Sequence, residues 1–391
     1  MGRFMTGPIV KGWCPGAWRP MRSGDGLLVR VRPPLGRLTQ RQASGLAHLA
    51  THYGNGTIDL STRANLQIRG VKEETHAALL SELTALGLAD PTPEAEARRN
   101  VVMTPFWHED DGTVELANML NAALQNDPAL DLPGKFGFAI DTAATPVLRE
   151  VSADIRIERG PSGALLCRAD GTDRSMPVTL QNAIPAALSL ARWFVANGGQ
   201  GRMATHLKAG AMMPEGFISE PAVLAPFMPV LGPSDFGFMV GIPFGRMDAR
   251  TLASLADIVP LRMTPWRMIL LEGAKRVPKI DGLLVSPDDP LLRVRACPGA
   301  PDCAQALQPT RDLARILAAH VPAGKMLHVS GCEKSCAHPG PATFTLVAGS
   351  DGFDLVCNGV TTDPPTRRHL TTDELRASAG LLMKGPYAAS L

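Results

Sequence analysis

The sequence predicts an α/β (α+β) protein built from two related halves, with mixed sheets and pseudo-twofold symmetry. The chain has 391 residues, more than one ordinary hydrophobic core accommodates, so a duplicated unit or several domains are expected. Segments 25–71 and 235–274 share one order of signals: an apolar strand, a proline, a Gly-Arg pair, a helix and a second strand containing an arginine. Coincidence between two generic βαβ units is the alternative, and the matching order favours duplication.

The repeated signals also predict local structure. Thr39 and Asp248 each precede leucines at helical spacing and are expected to be N-cap residues. The arginines Arg63 and Arg267 are expected in the returning strands. Residues 72–86 are predicted to be helical, and residues 87–97 to form a connector.

The remaining chain indicates two larger α/β regions. Segment 98–220 combines strand-like and helical patterns, and near the C-terminus a helix is expected between two strand-bearing loops. The predicted domains are a first ferredoxin-like half-domain, a first α/β domain, a second ferredoxin-like half-domain and a second α/β domain, spanning 1–90, 91–225, 226–285 and 286–391.

Composition and charge narrow the function classes. A formal net charge of +2 gives no reason to expect nucleic-acid binding. The first residues lack the apolar run of a secretory signal, and no stretch is long enough to span a bilayer, so a cytoplasmic protein without a membrane partner is expected. The seven cysteines are an odd number, and in a reducing cytosol metal ligation is favoured over disulfides.

Four cysteines near the C-terminus carry the strongest functional signal. Cys297 and Cys303 form a C-x5-C motif, and Cys332 and Cys336 form a C-x3-C motif. Paired thiolates on Gly/Pro-rich loops can hold an iron–sulfur cluster. A structural zinc site is the first alternative, although zinc usually takes closer cysteine pairs. Four unligated thiols are the second alternative.

The two cysteine motifs, together with STRANLQIRG (61–70), RRNVVMTP (98–105) and LPGKFGFAID (132–141), resemble the sirohaem-dependent sulfite and nitrite reductases. The resemblance covers nearly the whole chain in order. It implies a duplicated reductase-like fold and a [4Fe–4S] cluster on Cys297, Cys303, Cys332 and Cys336. In the reductases the cysteine that matches Cys336 also bridges to the iron of sirohaem, a haem-type cofactor.

The resemblance also implies a set of basic residues. Arg63, Arg99 and Lys135 match positions that hold an anion in the reductases. Fixed cationic donors suit an oxyanion or the carboxylates of a macrocycle. Arg202 and Lys208 are added as further candidates for binding carboxylates.

One departure from the reductases distinguishes this chain. They carry a second basic residue two positions after the lysine, whereas here Gly137 follows Lys135 and Phe136. The loss of that charge disfavours sulfite reduction and is expected to open room for a larger substrate. The opening segment and the second cysteine motif resemble the precorrin-3B synthases, a branch of the same family in aerobic cobalamin biosynthesis.

That branch implies an iron–sulfur monooxygenase. Its reaction is the hydroxylation of the tetrapyrrole precorrin-3A at C-20 with O2, together with closure of a γ-lactone. A separate electron donor, NADH-linked or ferredoxin-like, is expected, and the sequence does not identify it, since no dinucleotide fingerprint follows a strand. The alternatives are a sirohaem-dependent sulfite or nitrite reductase and a zinc-stabilised tetrapyrrole-binding protein.

The branch is also associated with a mononuclear non-haem iron, for which two histidines and a carboxylate are the expected ligands. The histidines form no such motif. His108 with Glu109 and Asp110, and His338 beside Cys336, are the candidates. A solvated turn histidine is the alternative for each, and a role for Cys14 stays open.

Overall fold

The computed structural model describes residues 15–222, 227–277, 279–377 and 380. Cys14 lies outside these residues. The first repeat consists of two hairpins and a helix, followed by a second helix. Its elements are β1 (Met21–Ser23), β2 (Gly26–Val31), β3 (Arg37–Leu38), α1 (Gln40–Tyr53), β4 (Thr57–Leu60), β5 (Leu66–Val71) and α2 (His76–Ala85).

The first α/β unit follows. Its elements are α3 (Pro93–Arg98), β6 (Val101–Met103), α4 (Thr113–Gln125), β7 (Phe138–Asp141), β8 (Ile155–Arg159), β9 (Leu165–Ala169), β10 (Arg174–Val178), α5 (Ala183–Ala196), α6 (Met203–Lys208) and β11 (Glu220–Pro221).

The second half repeats this order. Its elements are β12 (Gly232–Ser234), β13 (Gly237–Gly241), β14 (Arg246–Asp248), α7 (Ala249–Ala256), β15 (Leu261–Met263), β16 (Met268–Glu272), β17 (Val294–Ala296), α8 (Arg311–Ala318), β18 (Leu327–Ser330), β19 (Ala342–Gly349), β20 (Gly352–Gly359), β21 (Arg367–Leu370) and α9 (Thr372–Ala377).

The duplication predicted from the sequence is confirmed. Each repeat places a 3-10 turn before its Gly-Arg pair, at Pro34–Gly36 and Pro243–Gly245. The central residue has φ +55° in both turns, although it is Leu35 in one and Phe244 in the other. Left-handed backbone at non-glycine residues is uncommon, so its recurrence at equivalent positions indicates one structural unit used twice.

The two repeats exchange strands. The first sheet has the order β1-β2-β5-β4-β14, and the second has the order β12-β13-β16-β15-β3. Each sheet therefore ends on a short strand from the other repeat, paired antiparallel. Helices α1 and α7 pack together over a single shared core. Neither repeat completes its sheet without the other.

Related ion triads fasten the exchanged strands. The β14 residue Arg246 pairs with Asp59 at 2.9 Å, and Asp59 also pairs with Arg69 at 3.0 Å. In the other sheet, Glu272 pairs with Arg37 of β3 at 2.6 Å and with Arg262 at 2.5 Å. The carboxylate therefore lies on β4 in one triad and on β16 in the other.

The two α/β units have mixed sheets. In the first, β6, β7 and β8 are parallel and β9, β10 and β11 continue antiparallel. In the second, β17, β18 and β19 are parallel and β20 and β21 are antiparallel. Separate hydrophobic cores lie under the two sheets. The parallel strands matter for the site, because their connecting loops carry the predicted functional residues.

Most local predictions hold, and two are wrong. Thr39 caps α1 through a capping box, and Asp248 occupies the N-cap position of α7 without a side-chain bond. The segment predicted as a connector contains α3, because Thr92 accepts a hydrogen bond from the Ala95 N–H and a proline follows it.

The second error concerns the repeat arginines. Arg63 lies in the turn before β5, and Arg267 lies in the turn before β16 with φ +61°. Both were expected inside strands. A turn position leaves each side chain free to reach beyond its own sheet, which a strand interior would not allow. Within the described ranges, no helix is both long and apolar enough to cross a membrane.

Candidate cysteine centre and basic cluster

The four cysteines lie on two loops at neighbouring parallel strands; we call them the cysteine centre. Cys297 directly follows β17, and Cys332 lies two residues after β18. The register pairs Ala296 with Val329, so both strands end side by side. The carboxyl edge of parallel strands is a common location for binding sites. The fold therefore brings both cysteine motifs to one place.

Close packing holds the two loops together. The Gly331 N–H donates to Cys297 Sγ at 3.1 Å, and the Leu307 N–H donates to the Gly331 carbonyl at 2.8 Å. A Cβ at Gly331 would come within 2.6 Å of the Ala306 Cβ and 3.4 Å of Cys297 Sγ. Glycine is required here, because any side chain would push the loops apart.

Burial is graded across the centre. Cys297 is 8% exposed, Cys303 and Cys332 are half-buried, and Cys336 is exposed. Desolvation by the surrounding protein raises the pKa values of the Cys332 and Cys336 thiols, although Cys336 as a residue is exposed, and the other thiols of the centre raise them further. Neighbouring thiolates repel one another, so a cationic occupant is needed for all four to be deprotonated together.

The donor set fits a [4Fe–4S] cluster, which four cysteine thiolates hold at separate corners. The backbone N–H bonded to Cys297 Sγ is the kind of contact that tunes such clusters. Within the described ranges, no three His, Cys, Asp or Glu side chains are grouped to hold one metal ion. A structural zinc site uses the same thiolate ligands, with Zn–S bonds of about 2.3 Å, and metal analysis separates the two assignments.

Arginines of the repeats hold the first cysteine loop. The Asp302 carbonyl accepts hydrogen bonds from Ser23 Oγ and Arg69 Nη2, each at 2.8 Å. The Asp302 carboxylate pairs with Arg246, and Arg311 of α8 lies 3.6 Å from Asp59. Sequence reasoning missed this network. The one available signal was the repeated Gly-Arg pair, which contains Arg246.

Two of the predicted arginines, Arg63 and Arg202, donate to the backbone carbonyl of the predicted lysine, Lys135. We call these three residues the basic cluster. Arg63 Nη2 donates to the Lys135 carbonyl at 3.0 Å, and Arg202 Nη1 donates to the same oxygen at 2.5 Å. Arg202 also pairs with Asp154 at 3.0 Å. The Lys135 ammonium forms no hydrogen bond or ion pair with the described part of the chain.

The other two predicted basic residues lie apart from that carbonyl. Arg99 forms a bidentate pair with Asp90 at 2.7 and 3.0 Å and donates to the Arg32 carbonyl. It lines one small cavity together with Arg63. Lys208 is exposed at the last residue of α6. The Arg99 guanidinium is thus already bound to Asp90 and to the backbone, whereas the Lys208 side chain is exposed to solvent.

The space beside Gly137 is filled. The Asn100 side chain accepts from Arg63 Nη1 at 2.8 Å and donates to the Phe136 carbonyl at 2.6 Å. A Cβ at Gly137 would lie 2.7 Å from Asn100 Nδ2 and 3.0 Å from the Asn100 carbonyl. The expectation that Gly137 opens room for a larger substrate is therefore wrong at this position, because Asn100 occupies that room.

This packing gives a stability prediction. Gly137→Ala is expected to lower the free energy of unfolding by about 1–3 kcal/mol, because the new methyl group overpacks against Asn100. Chemical denaturation of both proteins measures the change. Gly216→Ala is the matched control, since nothing lies within 4 Å of its Cβ, and a change within about 0.5 kcal/mol is expected. Equal changes in the two variants would contradict the packing argument.

The candidate histidines do not form a metal site among the described residues. His108 is exposed at the start of a turn, and its ring centroid lies 4.6 Å from that of Phe236. Its backbone N–H donates to the Asp111 carboxylate. His338 contacts the Pro341 carbonyl at 3.2 Å and lies 5.8 Å from His328 between ring centroids. Burial lowers the pKa of His328 to about 4, and His338 and Arg267 lower it further.

Comparisons with known proteins were made with this geometry in hand. Residues 19–86 match the family model described as the nitrite/sulfite reductase ferredoxin-like half domain. A precorrin-3B synthase from Sinorhizobium sp. is 29% identical over 91% of this chain and 84% of its own length. A ferredoxin–nitrite reductase from Synechococcus elongatus is 26% identical over 89% of this chain and 82% of its own length.

A solved structure shares the fold. The NirA protein of Mycobacterium tuberculosis superposes with a TM-score of 0.61 at 19% identity, covering 90% of this chain and 79% of that one. The superposition therefore extends over both halves and both α/β units. The matched family segment lies within the first repeat and its following helix.

Proposed function

Because the chain belongs to the sirohaem-type nitrite and sulfite reductase superfamily, we propose that it catalyses the precorrin-3B synthase reaction. In that reaction, precorrin-3A is hydroxylated at C-20 and a ring-A acetate closes a γ-lactone. The proposal is supported by a similarity to a precorrin-3B synthase that extends over 91% of the chain. It is supported further by a cysteine centre whose donor set suits a [4Fe–4S] cluster.

The observation that carries the choice within the superfamily is the closed space at Gly137. No side chain, and hence no second cation, can stand there without displacing Asn100. A multi-electron reduction of a small anion needs dense positive charge around that anion. The Lys135 ammonium, without a second cation at position 137, suits a carboxylate at the rim of a macrocycle better than it suits sulfite.

The residues of the chain have distinct roles in this proposal. Lys135 and Lys208 offer free ammonium groups to substrate carboxylates. Arg63 and Arg202 fix the backbone that presents Lys135, and Arg99 braces the adjoining segment through Asp90. A cluster on Cys297, Cys303, Cys332 and Cys336 supplies single electrons when it is bound.

The electron balance requires an external donor. One oxygen atom of O2 enters the substrate, and the other leaves as water with two protons and two electrons. The chain is expected to receive these electrons from an NADH-linked or ferredoxin-like protein. A mononuclear non-haem iron belongs to this proposal as a second cofactor, with no ligands assigned.

Incubation of anaerobically purified protein with precorrin-3A, a reductant and isotopically labelled O2 tests the reaction. One labelled oxygen atom in the product is expected by mass spectrometry. Product that forms without label would overturn the monooxygenase assignment. A visible spectrum with strong sirohaem bands, together with reduction of nitrite or sulfite, would favour the reductase alternative.

The role of Lys135 gives a separate prediction. Lys135→Ala is expected to weaken precorrin-3A binding about 10- to 100-fold, because one charge-assisted contact is worth about 1.5–3 kcal/mol. Fluorescence or absorbance titration measures the affinity. Lys325 is the control, since it precedes β18 much as Lys135 precedes β7, although Lys325 is exposed and Lys135 is half-buried. Equal losses in Lys135→Ala and Lys325→Ala would remove Lys135 from the site.

The reductase alternative has its own support in the ferredoxin–nitrite reductase from Synechococcus elongatus, which matches 89% of the chain. The zinc-stabilised tetrapyrrole-binding protein stays a third alternative. Metal analysis separates it from both enzymes, since about four irons with acid-labile sulfide are expected for a cluster. One zinc without iron would favour the binding protein.

A further inference from the structure

Arg267 reaches from the second repeat into the second cysteine loop. Its backbone adopts φ +61° in the turn between β15 and β16, a conformation that costs free energy in a residue with a side chain. Gly245 lets the side chain pass, because a Cβ there would lie 3.1 Å from Arg267 Cγ. At the end of this path, Arg267 Nη2 donates to the Ala337 carbonyl at 2.9 Å.

The guanidinium group lacks an anionic partner in the described part of the chain. Arg267 Nη1 is shielded from solvent and has no hydrogen-bond partner there. The ion pairs of the described residues include none with Arg267, although Asp59 is paired with three other arginines. Burial lowers the pKa of Arg267 to about 9, the nearby Arg295 and Arg311 lower it further, and Asp59 and Cys297 act in the opposite direction.

Arg267 is half-buried, and leaving its water-shielded Nη1 without a partner costs free energy. A single bond to the Ala337 carbonyl does not require a charged donor. A neutral amide side chain could donate to Ala337 equally well without the desolvation cost. The cost is offset when an anion lies beside the guanidinium group. Two potential anions act on Arg267 among the described residues, Asp59 and the cysteine centre. Asp59 is already paired with three other arginines, whereas Arg267 itself approaches the cysteine centre through Ala337.

We propose that Arg267 is a fixed cation for the cysteine centre and raises the reduction potential of the cluster held there. The inference rests on the proposed function, because it requires that cluster. Four thiolates and a [4Fe–4S] core form an anion that gains one further negative charge on reduction. A cation that is held in place and partly shielded from solvent stabilises the reduced form more than the oxidised form.

A redox titration of the reconstituted full-length chain, followed by EPR, tests the inference. Arg267→Gln keeps a donor for the Ala337 carbonyl but removes the charge, and Arg267→Lys keeps the charge. The midpoint potential of Arg267→Gln is expected to be more negative than that of the parent protein, and that of Arg267→Lys is expected to lie closer to the parent. Arg250→Gln is the matched control, since Arg250 is exposed on α7 of the same repeat, and its potential is expected to equal the parent value.

The possible outcomes separate this inference from the proposed function. A parent-like potential in Arg267→Gln, or equal shifts in Arg267→Gln and Arg267→Lys, would overturn the role of the charge. Loss of the cluster in Arg267→Gln but not in Arg267→Lys would support it, and loss in both would overturn it. A parent protein that assembles no cluster would refute the iron–sulfur assignment on which both rest.

Discussion

Replacing Cys297 with serine is expected to abolish the iron–sulfur cluster. Cys297 is the most buried thiol of the cysteine centre at 8% exposure, and its sulfur accepts the Gly331 N–H. A solvent-derived ligand cannot readily replace it, and serine is a poor ligand for iron in such clusters. Iron content is expected to fall from about four per chain to below about one. Iron and sulfide analysis, with visible absorption, measures the loss.

Cys357→Ser is the matched control for this experiment. Cys357 is a half-buried cysteine on β20, outside both cysteine loops. Its replacement is expected to leave iron and sulfide unchanged. Retention of the full iron content in Cys297→Ser, or an equal loss in both variants, would show that the ligands are not the four cysteines proposed.

Asp59→Asn is expected to destabilise the whole chain. Asp59 is 7% exposed and pairs with Arg69, Arg246 and Arg311. The substitution would leave these guanidinium groups without their shared carboxylate, and breaking a buried ion network costs about 3–5 kcal/mol. Because Arg69 and Arg246 also hold Asp302, the first cysteine loop is expected to loosen with the fold. Urea denaturation measures the free energy of unfolding.

A surface pair provides the control for this prediction. Glu73 pairs with Arg22 at 2.6 Å, but both side chains are more than half exposed. Glu73→Gln is therefore expected to cost no more than about 1 kcal/mol. If Asp59→Asn cost as little as Glu73→Gln, the buried network would not fasten the repeats to the cysteine loop.

The contribution of Asp59 is expected to depend on pH. Burial acts to raise the pKa of Asp59, but the three neighbouring guanidinium groups outweigh it and hold the pKa below its ordinary value. A lowered carboxyl pKa in the folded state stabilises the fold at neutral pH, and this contribution is lost as the pH falls through that pKa. The stability difference between parent and Asp59→Asn should shrink below about pH 4.

Much of the fold could be predicted from local signals. Thr39 is followed by leucines at helical spacing, and a capping box forms there because the bond is local. The two Gly-Arg pairs also indicated the duplication from local sequence, since the glycine of each pair ends the same left-handed turn, in which Gly36 and Gly245 have positive φ. The spacing of the cysteine motifs predicted one site, and the structure brings both motifs together because both follow strands that pair in parallel.

Other features depend on contacts between distant residues. The exchange of β3 and β14 joins residues about two hundred positions apart in sequence, such as Arg37 and Glu272, and no local pattern encodes it. The connector prediction failed because Thr92 and Pro93 outweigh the polar composition of the segment. The room expected at Gly137 was filled by Asn100, which comes from a different strand connection.

The sequence by itself determined the duplication and the main helices and strands, and it singled out the four cysteines that are proposed as cluster ligands. These features follow from short-range periodicity, capping and motif spacing. Only the tertiary structure decided which charges are free. Arg63, Arg99 and Arg202 are engaged by backbone and carboxylates, whereas Lys135 has no partner among the described residues and Arg267 donates to the Ala337 carbonyl in the second cysteine loop. The physical reason is that the role of a charge depends on its partners and on its burial, and both are set by residues far away in the chain.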